Sequence, residues 1–177
     1  MRIIAGSRKG ARIFAPKGET RPTGDRVREA AFNLIGPVDE MAVLDLFAGS
    51  GAMGLEALSR GASSAVLVES DREAQRAIER NLEKLGLKGA RIVKHDAIRA
   101  LAAEAAAGRR YDLVLVDPPY RMLDSLLPTL STYLPPLLAE GALVVVESPA
   151  REHPELPIPE RTSRTYGSVR LTVFEQA

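Results

Sequence analysis

The chain has 177 residues, 45% of them hydrophobic, enough for one domain with a sizeable core but not for two. With no cysteine and two isolated histidines, His95 and His153, disulfides, thiolate metal sites and a cysteine nucleophile are excluded and no metal is expected. The net charge of +1 conceals an asymmetry, because residues 1–28 carry eight Lys/Arg against two Asp/Glu, a balance of +6 that leaves −5 elsewhere; such a segment favours a phosphate backbone by counterion release, or forms a solvated basic face.

Within the basic segment, Arg2 to Ala5 and Ala11 to Ala15 can pair as a small hairpin around Ser7 to Gly10. A helix over Asp25 to Ile35 follows, with Thr23 or Asp25 as its cap and Gly36 as its terminator. From Met41 onward, apolar and β-branched runs alternate with helical patterns, as in a parallel sheet covered on both faces. The strands are expected at Ala42–Phe47, Ala65–Glu69, Arg91–Lys94, Tyr111–Val116 and Ala142–Glu147. The intervening helices are expected at Ser50–Arg60, from the capping pattern Ser70-Asp71-Arg72-Glu73 to Leu85, at Ala97–Ala106, and at Leu123–Leu134. Arg161–Tyr166 and Val169–Glu175, separated only by Gly167 and Ser168, form a closing β-hairpin. A parallel sheet finished by an antiparallel hairpin resembles the seven-stranded mixed sheet of the Rossmann-like class I S-adenosylmethionine methyltransferases.

Between the first strand and helix stands a G-x-G-x-x-G loop, Gly49, Gly51 and Gly54, with Glu69 eighteen residues after Gly51. Glycines admit a sharp turn and close ligand approach, the helix N-terminus favours an anion, and the acid suits ribose hydroxyls. A nucleoside-bearing cofactor is implied, either NAD or S-adenosylmethionine, the alternative being a glycine-rich turn that holds neither. Asp45 shifts the reading to the latter, since a carboxylate beside the loop repels a pyrophosphate and attracts the ammonium of a methionine moiety; alternatively it orders the loop through backbone amides. The candidate cofactor site is therefore Asp45, Phe47, Ala48, Gly49, Ser50, Gly51, Gly54, Glu69 and Ser70, together with Asp96 and Ala97 after the third strand. Class I methyltransferases place a side chain at the position of Asp96 against the adenine amine, and the same residue can cap the next helix.

Beyond the fourth strand lies Asp117-Pro118-Pro119-Tyr120, where ligands of open α/β sheets bind. Two prolines hold the chain in a stiff extended turn that can aim an acid. The tetrapeptide resembles the Asp/Asn-Pro-Pro-aromatic motif of methyltransferases acting on planar amide or base nitrogens. The lone pair of such an amine is delocalised into the ring, so acceptors at Asp117 and the Pro118 carbonyl would redirect it toward an incoming methyl group. Tyr120 could stack on an extruded base.

Three patches, Arg21 to Glu29 with Phe32-Asn33, Leu44 to Gly51 continuing through Gly54 to Arg60, and Val116 to Tyr120, carry a resemblance over the whole chain to the RsmD-type 16S ribosomal RNA guanine-N2 methyltransferases. The resemblance implies S-adenosylmethionine as cofactor, S-adenosylhomocysteine as product, and 16S rRNA of the small subunit or its assembly intermediate as partner. It implies that Asp117, Pro118, Pro119 and Tyr120 are catalytic, and that RNA is held by Arg21, Thr23, Arg26 and Arg28, joined on charge by Arg8, Lys9 and Arg12. Gly24 departs from the family pattern, where threonine is expected. One domain is expected, a basic extension over 1–36 and a catalytic core over 41–177, as a cytoplasmic monomer without a membrane segment. The competing functions are adenine-N6 methylation of DNA or RNA, glutamine-N5 methylation of protein, a nicotinamide-dependent oxidoreductase and a non-enzymatic ribosome assembly factor.

Overall fold

The computed structural model of the chain describes residues 1–16 and 24–177; the expectations for Arg21 and Thr23 lie outside the described residues. Seven strands form one sheet: β1 (Ala42–Asp45), β2 (Ser64–Val68), β3 (Ala90–Val93), β4 (Tyr111–Val116), β5 (Leu138–Pro149), β6 (Glu160–Tyr166) and β7 (Val169–Glu175). Their order is β3-β2-β1-β4-β5-β7-β6. All pairs are parallel until β7, which runs antiparallel to both β5 and β6. The strand order reverses between β1 and β4, so the crevice of this open sheet lies beyond the carboxyl ends of those two strands.

Period-two alternation assigns each strand residue to one of two packed layers. Leu44, Val114, Val116, Val144 and Val146 pack under α4 (Ala97–Ala106) and α5 (Leu123–Leu137). Val43, Leu113, Leu115 and Val145 point the other way, toward α1 (Asp25–Ile35), α2 (Ala52–Ser59) and α3 (Arg72–Leu85). The helix-side stripes come from Leu123, Leu126, Leu130 and Leu134 of α5 and from Ala31, Phe32 and Ile35 of α1, all buried. No described helix is long and apolar enough to cross a membrane.

Several boundaries differ from the sequence expectation. Strand β5 starts four residues earlier and ends two later than expected, because Leu138 pairs with Tyr111 while Ser148 and Pro149 pair with Arg170 and Val169 of β7. Helix α5 continues past Leu134 through Pro135 and Pro136 to Leu137, whose fully buried side chain outweighs the missing amide donors. Asp71, not Ser70, caps α3, accepting from the Ala74 amide at 2.8 Å. Helix α1 is capped by Gly24 without a side-chain bond, since Asp25 turns instead to Arg28 at 2.9 Å.

The expected N-terminal hairpin forms as a short antiparallel pairing, with the bridge Arg2 to Arg12 flanked by bonds from the Ile3 amide to the Ala11 carbonyl at 2.9 Å and from the Ile13 amide to the Met1 carbonyl at 3.2 Å, around a 3-10 turn at Gly6–Arg8. Ile3 and Ile13 bury against Ala52, Leu55 and Leu85, fastening the segment to α2 and α3. Gly6 has a φ of 80°, and a Cβ there would lie 1.8 Å from the Ser59 carbonyl oxygen, so only glycine permits the contact.

Candidate active site

At the carboxyl end of β1 the chain enters the glycine loop. Gly51 adopts the left-handed conformation, φ 83°, as the N-cap of α2, a conformation that strains side-chain-bearing residues. Gly54 meets a different constraint, because a Cβ would sit 2.1 Å from Leu67 Cδ2. The bare backbone lets the Gly54 amide donate to Asp45 Oδ2 at 3.1 Å.

Asp45 is 2% exposed. Burial pushes its carboxyl up from 3.8 to about 7; the Gly54 amide opposes this and the neighbouring charge of Asp117 reinforces it. No ion pair among the described residues reaches Asp45, so a cationic group bound there would meet an acceptor that the protein has already desolvated. Glu69, at the end of β2, accepts from the Gly49 amide at 2.8 Å through Oε2 and from the Asp71 amide at 2.8 Å through Oε1. Asp96 accepts from the Arg99 amide at 3.0 Å as the N-cap of α4. The loop-ordering role of Asp45 and the capping role of Asp96 are thus both realised. Ala48, Ser50 and Ala97 are buried beside these acids, Phe47 and Gly49 half-buried, and Ser70 exposed.

Asp117 follows β4 directly. Because Asp45 pairs with Leu115 in register, Asp117 projects just beyond the glycine loop, near enough for its charge to act on Asp45. Pro118 is buried, while Pro119 and Tyr120 are exposed. The turn closes through a bond from the Met122 amide to the Pro119 carbonyl at 2.8 Å, and the Tyr120 hydroxyl donates to Glu147 Oε1 at 3.3 Å. The expected cofactor loop and the expected acceptor turn therefore share one edge of the sheet. Among the described residues, no group of three His, Cys, Asp or Glu side chains could hold a metal ion.

The basic segment divides. Lys9, Arg12 and Arg26 are exposed, and Arg8 is half-buried with its guanidinium donating to the Leu85 carbonyl. The expectation that Arg28 holds RNA is corrected: its side chain is fully buried, bonded to Asp25 at 2.9 Å and to the Arg2 carbonyl, with Glu56 Oε2 at 3.6 Å. Burial on Phe32's side of α1 places this cation inside the protein.

Sequence reasoning overlooked Glu56, Asn81 and Glu147. Glu56, fully buried on α2, accepts from the amides of Ile4 at 2.8 Å and Ala5 at 2.9 Å and pairs with Arg60 at 2.9 Å. Asn81 bonds both backbone groups of Phe14 and the Ser50 carbonyl, tying the N-terminal segment to the glycine loop. An acid within the otherwise apolar α2 and an amide on the buried face of amphipathic α3 were the available signals. Glu147 becomes visible only through the register of β5 against β4.

A seven-stranded sheet of this order, with its loop and acids at the switch point, is the class I S-adenosylmethionine methyltransferase fold. Residues 1–175 match the family model described as Conserved hypothetical protein 95. The chain is 42% identical over 152 residues to ribosomal RNA small subunit methyltransferase D of Escherichia coli, covering 84% of this chain and 74% of that one. It is 38% identical over 188 residues to YlbH of Bacillus subtilis, covering 99% of each. A solved structure of a hypothetical protein from Thermus thermophilus is similar with a TM-score of 0.86, 37% identity and 99% of both chains covered. The chain belongs to the RsmD family, that of the ribosomal RNA small subunit methyltransferases D.

Proposed function

We propose that the protein methylates the exocyclic N2 amine of a guanine in 16S ribosomal RNA, with S-adenosylmethionine as methyl donor. Ribosomal RNA methylation is the activity that the relatives' names carry. The observation that carries the finer reading is the shared edge, where Asp117 leaves β4 beside β1 and the glycine loop, two residues beyond the register partner of Asp45.

The residues present fit the cofactor. Gly54, with no Cβ, lets α2 close on Leu67 so that its amide meets Asp45, and Asp45 offers a buried carboxylate for an ammonium group. Glu69, anchored through the Gly49 amide, is placed for ribose hydroxyls. S-adenosylmethionine supplies an electrophilic methyl group on a sulfonium. Asp117 and the Pro118 carbonyl would accept from the guanine NH₂, drawing the nitrogen lone pair out of conjugation and turning it toward the methyl group that the cofactor would supply. Transfer to the nitrogen would break the methyl–sulfur bond, release S-adenosylhomocysteine and pass one proton to solvent, with no covalent intermediate on the protein. Tyr120, exposed on the rim, stacks on the base. Lys9, Arg12 and Arg26 of the segment 1–36 hold the phosphate backbone against the core 41–177.

Incubating the protein with labelled cofactor and undermethylated small ribosomal subunits tests this. N2-methylguanine, mapped by mass spectrometry to 16S rRNA, is the expected product; label in adenine or in protein alone would overturn the assignment.

A further inference from the structure

We propose that Glu147 selects guanine by accepting the N1–H of the base whose N2 amine Asp117 receives; this rests on the guanine reading above. Val146 is the register partner of Val116, so Glu147 and Asp117 are the next residues on neighbouring parallel strands. Such strands run about 4.8 Å apart, and the two acids therefore leave the sheet side by side. The half-buried Glu147 side chain reaches the Asp-Pro-Pro-Tyr turn, where Oε1 takes the Tyr120 hydroxyl at 3.3 Å. Its backbone is locked between β4 and β7, paired there with Leu171.

The chemistry of the two purines gives this pairing a consequence. Guanine presents two adjacent donors on its Watson–Crick edge, N1–H and the N2 amine, which two neighbouring carboxylates complement. Adenine presents an acceptor at N1, and a carboxylate facing it sets lone pair against lone pair. By accepting N1–H, Glu147 also leaves more electron density on the guanine ring, so N2 becomes the better nucleophile. Asp117 thus directs the reacting nitrogen while Glu147 reads which base carries it.

The test uses two otherwise identical RNAs, one with guanine at the modified position and one with 2-aminopurine, which keeps the N2 amine and lacks N1–H. Glu147→Ala is expected to lower kcat/KM on guanine RNA by about 10- to 100-fold, the loss of a charge-assisted hydrogen bond. On 2-aminopurine RNA it should fall within roughly threefold of wild type, because no N1–H remains to lose. Competition binding of the two RNAs reads the same preference where turnover of the analogue is slow, and unchanged cofactor affinity shows that the variant folds. Equal losses on both RNAs, matched by Tyr120→Phe, would mean that Glu147 only positions Tyr120 and would overturn the inference. Wild-type protein that methylates adenine instead of guanine would sink the guanine reading itself, a result distinct from either outcome for Glu147.

Discussion

Two fully buried acids, Asp45 under the glycine loop and Glu56 under the N-terminal segment, face opposite demands. Glu56 is surrounded by partners: two backbone amides and the cations Arg28 and Arg60. Asp45 has the Gly54 and Phe47 amides and lies near two further acids, Asp117 and Glu69. The first is satisfied by the chain itself and serves to hold the extension in place. The second sits in a region of accumulated negative charge, which a cationic ligand would relieve. The fold thus compensates a buried charge where it needs rigidity and leaves one under-compensated at the proposed cofactor site.

The largest effect expected on the binding side comes from Asp117→Ala. Its turnover should fall by about 10³-fold or more, with cofactor affinity, measured by calorimetry, nearly intact, since in the proposed mechanism the residue acts on the nucleophile. Loss of cofactor binding as well would place Asp117 with Asp45 and erase that division.

On the structural side, Arg28→Ala strips one cation from Glu56 and should destabilise the protein by about 3–5 kcal/mol. In thermal unfolding this corresponds to a fall on the order of 10 °C. A variant as stable as wild type that instead binds RNA weakly would restore Arg28 to the RNA face.

The two acids should also separate by pH. With its carboxyl raised from 3.8 to about 7, Asp45 binds more protons in the folded chain than in the unfolded one between those values. Its contribution to stability is therefore present at low pH and lost as pH rises through about 7. Denaturant titrations at several pH values should show Asp45→Asn flattening that decline, and the affinity for S-adenosylmethionine should be higher at pH 8 than at pH 6. A cofactor affinity independent of pH across this range would remove Asp45 from the ammonium site.

Gly54→Ala forces a methyl group against Leu67, and its overpacking should cost roughly 1–3 kcal/mol while weakening cofactor binding through the displaced Asp45 amide contact. The smallest effect belongs to Arg26→Ala, exposed two residues from buried Arg28. Stability should not change, but the slope of log affinity for RNA against log salt should shrink by about 0.7–0.9; an unchanged slope would detach α1 from the RNA path.

How much of this was legible beforehand depended on where the deciding forces lie. Helix α1, helix α4 and strands β4 and β7 have the bounds that the sequence predicts, because local periodicity and the flanking glycines or aspartates decide them. The glycine loop and the Asp-Pro-Pro-Tyr turn were equally visible, since their residue types are demanded by backbone geometry. The full reach of β5 was not, because its ends are set by pairing with Tyr111 and with β7. Arg28 read as a surface cation for the same reason: its partner Glu56 lies on another helix.

The sequence by itself thus determined the order of elements, the glycine loop and the Asp-Pro-Pro-Tyr turn, all governed by short-range steric and periodic rules. Only the tertiary structure decided which charges are buried and paired, and that Glu147 stands beside Asp117. Those outcomes depend on strand register and helix docking, which bring together residues that no local rule relates.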